Sequence, residues 1–529
     1  MGSLPSERRF KASSVCIIGA GPSGLAAAKY LLAEKKAFSR IVVYEQRARM
    51  GGLWNYSSDD GMGSRMPVPQ TSPNGGGFAE AGRKRGSGNG NGEEKQPEFV
   101  SPVYERLETN IPRGLMGFSD LDWEEHRQLF PKHEDVLEYI QRYGEEVADL
   151  VKFGTQVLDV RLRGEDEDDG EKWIVTTRPV QRTRNLQSIE KEEEEEEQEE
   201  EVFDAVICAN GHYEVPYIPD VPGISAWNEA HPDVISHSKF YRKPESFAGK
   251  KVLVIGNSAS GLDISAQIEP YCAAPLIISQ KSESYLNVGG NTSPSSSSSS
   301  SSLTATRITK PEIIEYIPSN RTVKFSDNTT TSHLDAILYC TGYFYSYPFL
   351  STLTPPVITS GERVEHTFNH IFYAPHPTLS FMVLNQKVIP FPMAEAQAAV
   401  IARVLSGRLA LPREEEMKRW EEGVEKEMGT GRNFHVLKFP KDAEQINFLG
   451  EWARSADQES PSSSPFTSSS EDSEGVGKTP PHWGEKEFFT RERFPHIKSA
   501  FNALGEKRHE VRSLEEVGFD FEKWKAEQK

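Results

Sequence analysis

Cysteine is scarce in this 529-residue chain: Cys16, Cys208, Cys272 and Cys340 are all it has. No two of them form a CxxC pair, so neither a zinc site nor a dithiol redox centre is indicated. No other metal site is marked. Three lie inside apolar runs (VCIIG, AVICAN, AILYCTG), where a thiol packs as a small core residue. That usage suits a reducing compartment. Long apolar runs are missing too. No stretch approaches the roughly 20 residues of a membrane-crossing helix. The first apolar run, Val15 to Ile18, is too short for a signal peptide and leads directly into a glycine turn. These features predict a cytoplasmic protein without a membrane span. Positive charge is in deficit, with 60 Lys and Arg against 79 Asp and Glu. The net charge of −19 makes the chain a poor candidate for nucleic-acid binding, which needs a basic face, and reads as serving solubility.

What is present is an ordinary globular chain interrupted by four polar tracts. They run from Ser57 to Pro97, Gln181 to Glu201, Gly289 to Thr306 and Ser455 to Pro480. None can bury enough apolar surface to offset its ordering entropy, so each reads as a mobile insertion. Between them the runs Val15 to Ile18, Ile41 to Tyr44, Ala205 to Ala209, Val252 to Ile255, Leu276 to Ser279 and Ala336 to Cys340 suit buried parallel strands. Helical patterns follow several of them, such as Gly24 to Glu34 and Ala259 to Ile268. Strands alternating with helices predict an α/β fold of the doubly wound kind.

A strand, a glycine turn and a helix occur twice. The first copy, VCIIGAGPSGLAAAKYLL, places Gly19, Gly21 and Gly24 in a GxGxxG turn, with Pro22 and Ser23 between the last two glycines. Gly19 permits the tight turn, Gly21 admits a pyrophosphate close to the backbone, and Gly24 lets the helix pack on the strand. The helix N-terminus then offers free N–H groups to the phosphates. The next strand ends in Glu45, 21 residues after Gly24. A carboxylate there accepts from a ribose diol and repels a 2′-phosphate, which predicts FAD or NAD. Gly51-Gly52-Leu53-Trp54 follows, its glycines suited to close approach to a flavin. Trp54 reads equally well as core packing.

The second copy, KKVLVIGNSASGLDISAQI, has Gly256, Ser258 and Gly261 at the three turn positions, followed by Ala259, Ser260 and Asp263 in the turn and its helix. Serine replaces the middle glycine, which weakens the motif. The next strand, PLIIS, ends without an acid and continues into Gln280 and Lys281. A missing carboxylate and a cation fit a 2′-phosphate, hence NADPH. Lys281 is equally readable as a solvated surface charge. Two nucleotide sites, one for FAD and one for NADPH, make a complete electron path.

Several further stretches resemble the flavin-containing monooxygenases, especially fungal members, from about Ser14 to about Gly450. They are LETNIPRGLMGFSD, ICANGHYEVPYIP, HSKFY, LYCTGY and FPMAEAQAAVIARVLSGRLALP. The family fingerprint FxGxxxHxxxY is imperfect here. Trp227 takes the aromatic position, the next glycine is absent, and the spacing to His237 is longer. Tyr241 stands where the related Baeyer–Villiger enzymes typically carry Trp. The resemblance implies two Rossmann-like domains, with an NADPH domain over 216–333 inserted into a FAD domain made of 1–215 and 334–450. A polar C-terminal region over 451–529 follows, with 455–480 disordered and a short helical end. It implies FAD contacts at Gly19, Gly21, Pro22, Ser23, Gly24, Glu45, Gly52, Leu53, Trp54, Asn110, Ile111, Val157, Thr341 and Gly342. It implies NADP contacts at Thr109, Asn110, Gly256, Ser258, Ala259, Ser260, Gly261, Asp263 and Lys281.

By the same resemblance NADPH reduces the flavin, oxygen adds to give a C4a-hydroperoxyflavin, and a soft nitrogen or sulfur nucleophile of a small molecule takes one oxygen atom. Asn110 is the candidate catalytic residue, an amide placed between flavin and nicotinamide that donates and accepts without titrating. It also reads as a turn residue before Pro112. His237 either orders the interdomain hinge or is a buried structural histidine. A homodimer is compatible with this reading. The rivals are a Baeyer–Villiger or N-hydroxylating relative and, from another class, a nucleotide-binding regulatory protein that has lost catalysis.

Overall fold

The structure, a computed structural model, describes residues 7–58, 66–74, 99–164, 171–180, 198–282, 307–458 and 477–528. Two sheets organise it. In the first, strand Ser14–Ile18 lies between Arg40–Glu45 and Ala205–Cys208, parallel to both, with Val151–Phe153 beyond Arg40–Glu45. Three short strands, Leu379–Phe381, Phe372–Tyr373 and Thr367–Phe368, extend the other edge. Alternation explains why the central strand is apolar from Val15 to Ile18. Val15 and Ile17 face a core formed with helices Pro22–Ala33 and Pro390–Leu405. Cys16 and Ile18 face a second core, under the antiparallel layer of Thr155–Leu162, Trp173–Pro179 and Glu199–Phe203. A parallel strand covered on both faces must be apolar at every position.

The second sheet is parallel throughout, in the order Arg307–Lys310, Leu276–Ser279, Val252–Ile255, Ala336–Tyr339, Ile235–His237. The fold is thus α/β with two Rossmann-like units. One boundary needs correction. The sequence assigns residues from 334 onward to the returning FAD domain, but strand Ala336–Tyr339 belongs to the second sheet. Both sheets take buried apolar runs that end at a glycine turn, so pattern alone does not tell them apart. The chain returns later, at Tyr343–Phe344, which pairs antiparallel with Val215–Pro216 on the outward crossing.

The polar tracts are shorter than their composition implies. Residues 66–74 lie on the second unit, where Gln70 exchanges backbone hydrogen bonds with Ile218 and Met66 and Val68 pack on its core. Glu199 to Glu201 are strand, because Tyr44, Lys152 and Arg40 supply partners for Glu201. The helix Lys441–Gln458 runs past Ser455. Gly477 is pinned to the Ala33 carbonyl and Tyr30 to that of Thr479. Gly289 to Thr306 lies outside the described residues. The C-terminal region holds more than a short helical end: a 19-residue helix, Glu485–Ala503, is followed by Phe521–Glu527. Pro495 inside the longer helix breaks the sequence signal, yet Phe489, Phe494, Ile497 and Phe501 bury one face. Among the described residues no helix is long and apolar enough to cross a membrane.

Candidate active site

The first glycine turn is built by exclusion. Gly19 has φ +105°, and a Cβ there would stand 2.7 Å from the Ala209 carbonyl. A Cβ on Gly24 would lie 1.9 Å from the Gly19 carbonyl. Those two glycines let strand, turn and helix touch. Gly21 differs, for its Cβ would meet only Gly52, whose Cα lies at an ordinary 3.5 Å and whose N lies at 3.9 Å. Gly52 has φ +54°, and a Cβ on it would fall 2.9 Å from Gly21 Cα. The bare backbones of the first turn and the Gly-Gly-Leu-Trp loop therefore meet face to face. The helix Pro22–Ala33 has neither a side-chain cap nor an acid in its first turn, so its N–H groups remain available to an anion. Glu45, 3% exposed, accepts from Ala20 N at 2.9 Å and Arg47 N at 2.8 Å. Leu53 and Trp54 complete a 3-10 turn, and Trp54 packs against the first core.

The second turn repeats this construction. Gly256 has φ +104°, and its Cβ would lie 2.6 Å from the Cys340 carbonyl. A Cβ on Gly261 would lie 2.1 Å from the Gly256 carbonyl. Ser258 sits at φ −80°, against −78° for Gly21. Any L-residue adopts that conformation, so serine at the middle position costs the backbone nothing. Ser258 is exposed and does not cap the helix that begins at Ala259 and Ser260. That helix too has no acid in its first turn.

Register shows what replaces Glu45. Gly19 N donates to Tyr44 O, and Gly256 N donates to Ser279 O. Gln280 therefore occupies the place of Glu45. Asn257 donates to its side-chain carbonyl at 2.8 Å, as Ala20 N donates to Glu45. Neither Asn257 nor Gln280 was singled out by motif reading, although counting from each turn to the next strand end would have found them. Lys281 follows on the surface, 84% exposed, 3.1 Å from Glu312. The same matching relates Cys340-Thr341-Gly342 to Ala209-Asn210-Gly211, each opposite the first glycine of a turn. Thr341 and Gly342, assigned to FAD by resemblance, thus stand on the second turn's side of the hinge. There Thr341 donates to Tyr217 O, and Gly342 O accepts from Tyr217 N at 3.0 Å.

Other assigned residues disperse. Val157 packs its side chain in the core beneath the first sheet, with Tyr44. Asp263 points to Tyr104 and Gln267, which donate to its carboxyl. Loss of solvent raises that carboxyl above its usual range. Asn110 lies between the two units: Leu107 packs on the second core and Ile111 on the first. Thr109 donates from N to Pro131 O at 2.9 Å and from its hydroxyl to Ile111 O at 2.8 Å. The Asn110 carboxamide is half-buried and bonds to no other described residue. His237 is fully buried, which pushes its pKa down to about 3. It accepts from Lys239 N at 3.1 Å, and its ring meets Tyr343 of the hinge ribbon at 5.1 Å.

The description flavin-binding monooxygenase-like matches residues 90–291 and 298–453, and that of an NAD(P)-binding Rossmann-like domain matches 17–70. The chain belongs to the flavin-binding monooxygenase-like family. Its relatives include flavin-containing monooxygenase FMO GS-OX-like 9 of Arabidopsis thaliana, 33% identical over 77% of this chain and 79% of the relative. Another is flavin-containing monooxygenase iboF of Amanita muscaria, 28% identical over 84% and 88%. Among solved structures, S-allyl-L-cysteine S-oxygenase from Allium sativum is 25% identical with a TM-score of 0.67, covering 96% of this chain and 98% of that one. The chain is therefore a flavin monooxygenase with FAD and NADPH as its cofactors. The bare backbones at Gly21 and Gly52 and the two uncapped helix starts are what dinucleotide phosphates require.

Proposed function

We propose that this flavin monooxygenase takes electrons from NADPH and transfers one atom of molecular oxygen to a soft sulfur or nitrogen nucleophile of a small molecule. The observation that carries the reading is the pair of matched turns with different strand ends, Glu45 in one and Gln280 in the other. A carboxylate suits a ribose diol and repels a 2′-phosphate, while an amide tolerates that phosphate. FAD is thereby assigned to the first turn and NADPH to the second. The S-oxygenase similarity supports sulfur as the acceptor atom.

The bound flavin supplies reductive activation of oxygen, which no side chain provides. The chain's own residues bind, orient and exclude water. Gly21, Ser23 and Gly24 present backbone to the FAD pyrophosphate. Gly52 and Leu53 flank the flavin end, and Ile111 closes the site against the first core. Ser258, Ala259, Ser260 and Gly261 serve the second nucleotide. Asn110, whose carboxamide bonds to no other described residue, holds the nicotinamide beside the flavin by hydrogen bonding after hydride transfer and so keeps water from the oxygen-transfer step.

The test is to purify the protein, identify bound flavin, and follow NADPH and oxygen consumption with thiols, sulfides, amines and ketones. Mass spectrometry of the product should show one added oxygen atom with a sulfide or amine. Lactone formation from a ketone, or peroxide alone with every substrate, would overturn the assignment. A sharper measurement concerns Gln280. Gln280→Glu is expected to raise KM for NADPH about tenfold or more, with a much smaller change for NADH, because a carboxylate then faces the 2′-phosphate. Lys281→Ala is expected to change KM for NADPH less than about threefold, since that ammonium is solvated and already paired with Glu312.

A further inference from the structure

Behind Asn110 the chain's own C-terminal region forms a support that no motif announced. Ile497 and Phe501 of the helix Glu485–Ala503 form a separate core with Leu129, Phe130 and Val511. From the same helix Lys498 reaches the Asn110 segment. Its ammonium donates to the Thr109 carbonyl at 2.9 Å and stands 4.5 Å from the centre of the Phe130 ring. It lies 3.9 Å from the Glu108 carboxylate, and the side chain is only 14% exposed. Arg508 approaches the same carboxylate at 3.2 Å, and His509 stands 3.4 Å from its other oxygen. Burial lowers the Lys498 pKa to about 8, with Glu108 and Asp263 acting to raise it and Arg508 to lower it. The ammonium therefore still carries its charge at neutral pH. On the other side of Asn110, Leu129 N donates to Val511 O at 2.8 Å and Arg113 donates to Arg512 O at 3.1 Å. The C-terminal region thus holds the segment both before and after the asparagine.

We propose that Lys498 is a positioning residue for Asn110: its hydrogen bond to the Thr109 carbonyl fixes the backbone from which the Asn110 carboxamide projects between the two domains. The inference rests on the proposed role of Asn110 but concerns a contact that exists whatever that role. A carbonyl that accepts from a buried cation is held more firmly than one that accepts from water. Releasing it frees the two residues between Thr109 and Pro112.

The experiment uses the flavin-loaded full chain, with Lys498→Met and Lys498→Arg beside the unaltered protein. Hydrogen exchange is measured on the peptide spanning Asn110 to Met116 and on the helix Pro22–Ala33. Lys498→Met is expected to speed exchange of the first peptide about tenfold, the loss of one charge-assisted hydrogen bond, and to leave the second unchanged. The rate of oxygenated product formation should fall about tenfold while KM for NADPH moves less than about twofold. Lys498→Arg keeps a charged donor and should restore both readouts to within about threefold. Equal acceleration in both peptides means that Lys498 only stabilises the fold, and the proposal fails. It also fails if the first peptide is unaffected, or if it loosens with no loss of product. If the unaltered protein does not oxidise NADPH, the cofactor reading fails instead, and the exchange comparison still decides whether Lys498 holds the segment.

Discussion

Gly24→Ala is expected to yield a chain that purifies without flavin, whereas Gly21→Ala should yield a folded chain whose FAD affinity has dropped. The two glycines sit three residues apart in one turn and differ in what surrounds them. An added Cβ at Gly24 would lie 1.9 Å from the Gly19 carbonyl, and Gly19 in turn is pressed against Ala209. Neither backbone can yield without separating the helix Pro22–Ala33 from the central strand. The cost is about 3 kcal/mol or more, in the unit that carries the larger core. At Gly21 the same methyl meets only Gly52, no nearer than 3.5 Å, so the protein accommodates it and the pyrophosphate does not. Flavin absorbance after gel filtration, with a thermal melt, separates the two outcomes. The second turn supplies the control. Gly261→Ala, whose Cβ would stand 2.1 Å from the Gly256 carbonyl, should abolish NADPH reduction of a flavin that remains bound. Ser258→Gly should shift stability by no more than about 0.5 kcal/mol, because φ −80° makes no demand for glycine. A Gly24→Ala protein with full flavin content would show that the turn can relax and that its close packing is not needed for FAD.

Asn110→Ala is expected to separate electron transfer from oxygen transfer. The carboxamide has no hydrogen bond to another described residue, so its removal should cost the fold about 0.5 kcal/mol at most. Its effect on the reaction should be far larger. An aligned hydrogen-bonding group in a site closed to water contributes about 100-fold or more to the rate of the step it serves. Oxygenated product should fall by about that factor while NADPH oxidation continues, its electrons emerging as hydrogen peroxide. Product by mass spectrometry and peroxide by a coupled assay, both normalised to NADPH consumed, read the split. Unchanged product per NADPH would mean that Asn110 is only the turn residue before Pro112.

Both glycine turns were legible as turns because each has φ near +105° at its first glycine, a conformation that leaves a plain mark in sequence. Glu45 stood out as an acid ending an apolar strand, and the structure shows that its carboxylate accepts from the backbone N–H groups of Ala20 and Arg47. Ser258 looked like damage to the motif. The backbone is undamaged, because φ −80° makes no demand for glycine at the middle position; whatever the serine costs falls on the nucleotide and not on the fold. The strand before Thr341 and Gly342 was placed in the wrong unit, since a buried strand of Ala, Ile, Leu and Tyr suits either sheet equally. The imperfect fingerprint resolves the same way. Trp227 is buried against Tyr316 in the second unit's core, while His237 abuts the hinge.

The sequence by itself determined what recurs along the chain: two strand–turn–helix units, their nucleotide character and the family they belong to. Those features are local, set by steric demands within a few residues of one another. Tertiary structure decided what depends on distant segments meeting. It placed strand Ala336–Tyr339 beside Val252–Ile255, made Gln280 the counterpart of Glu45, and brought Lys498 to Thr109 across 389 positions. A contact of that span leaves no periodic trace, because its two residues satisfy local rules separately and share a constraint only when the chain is folded.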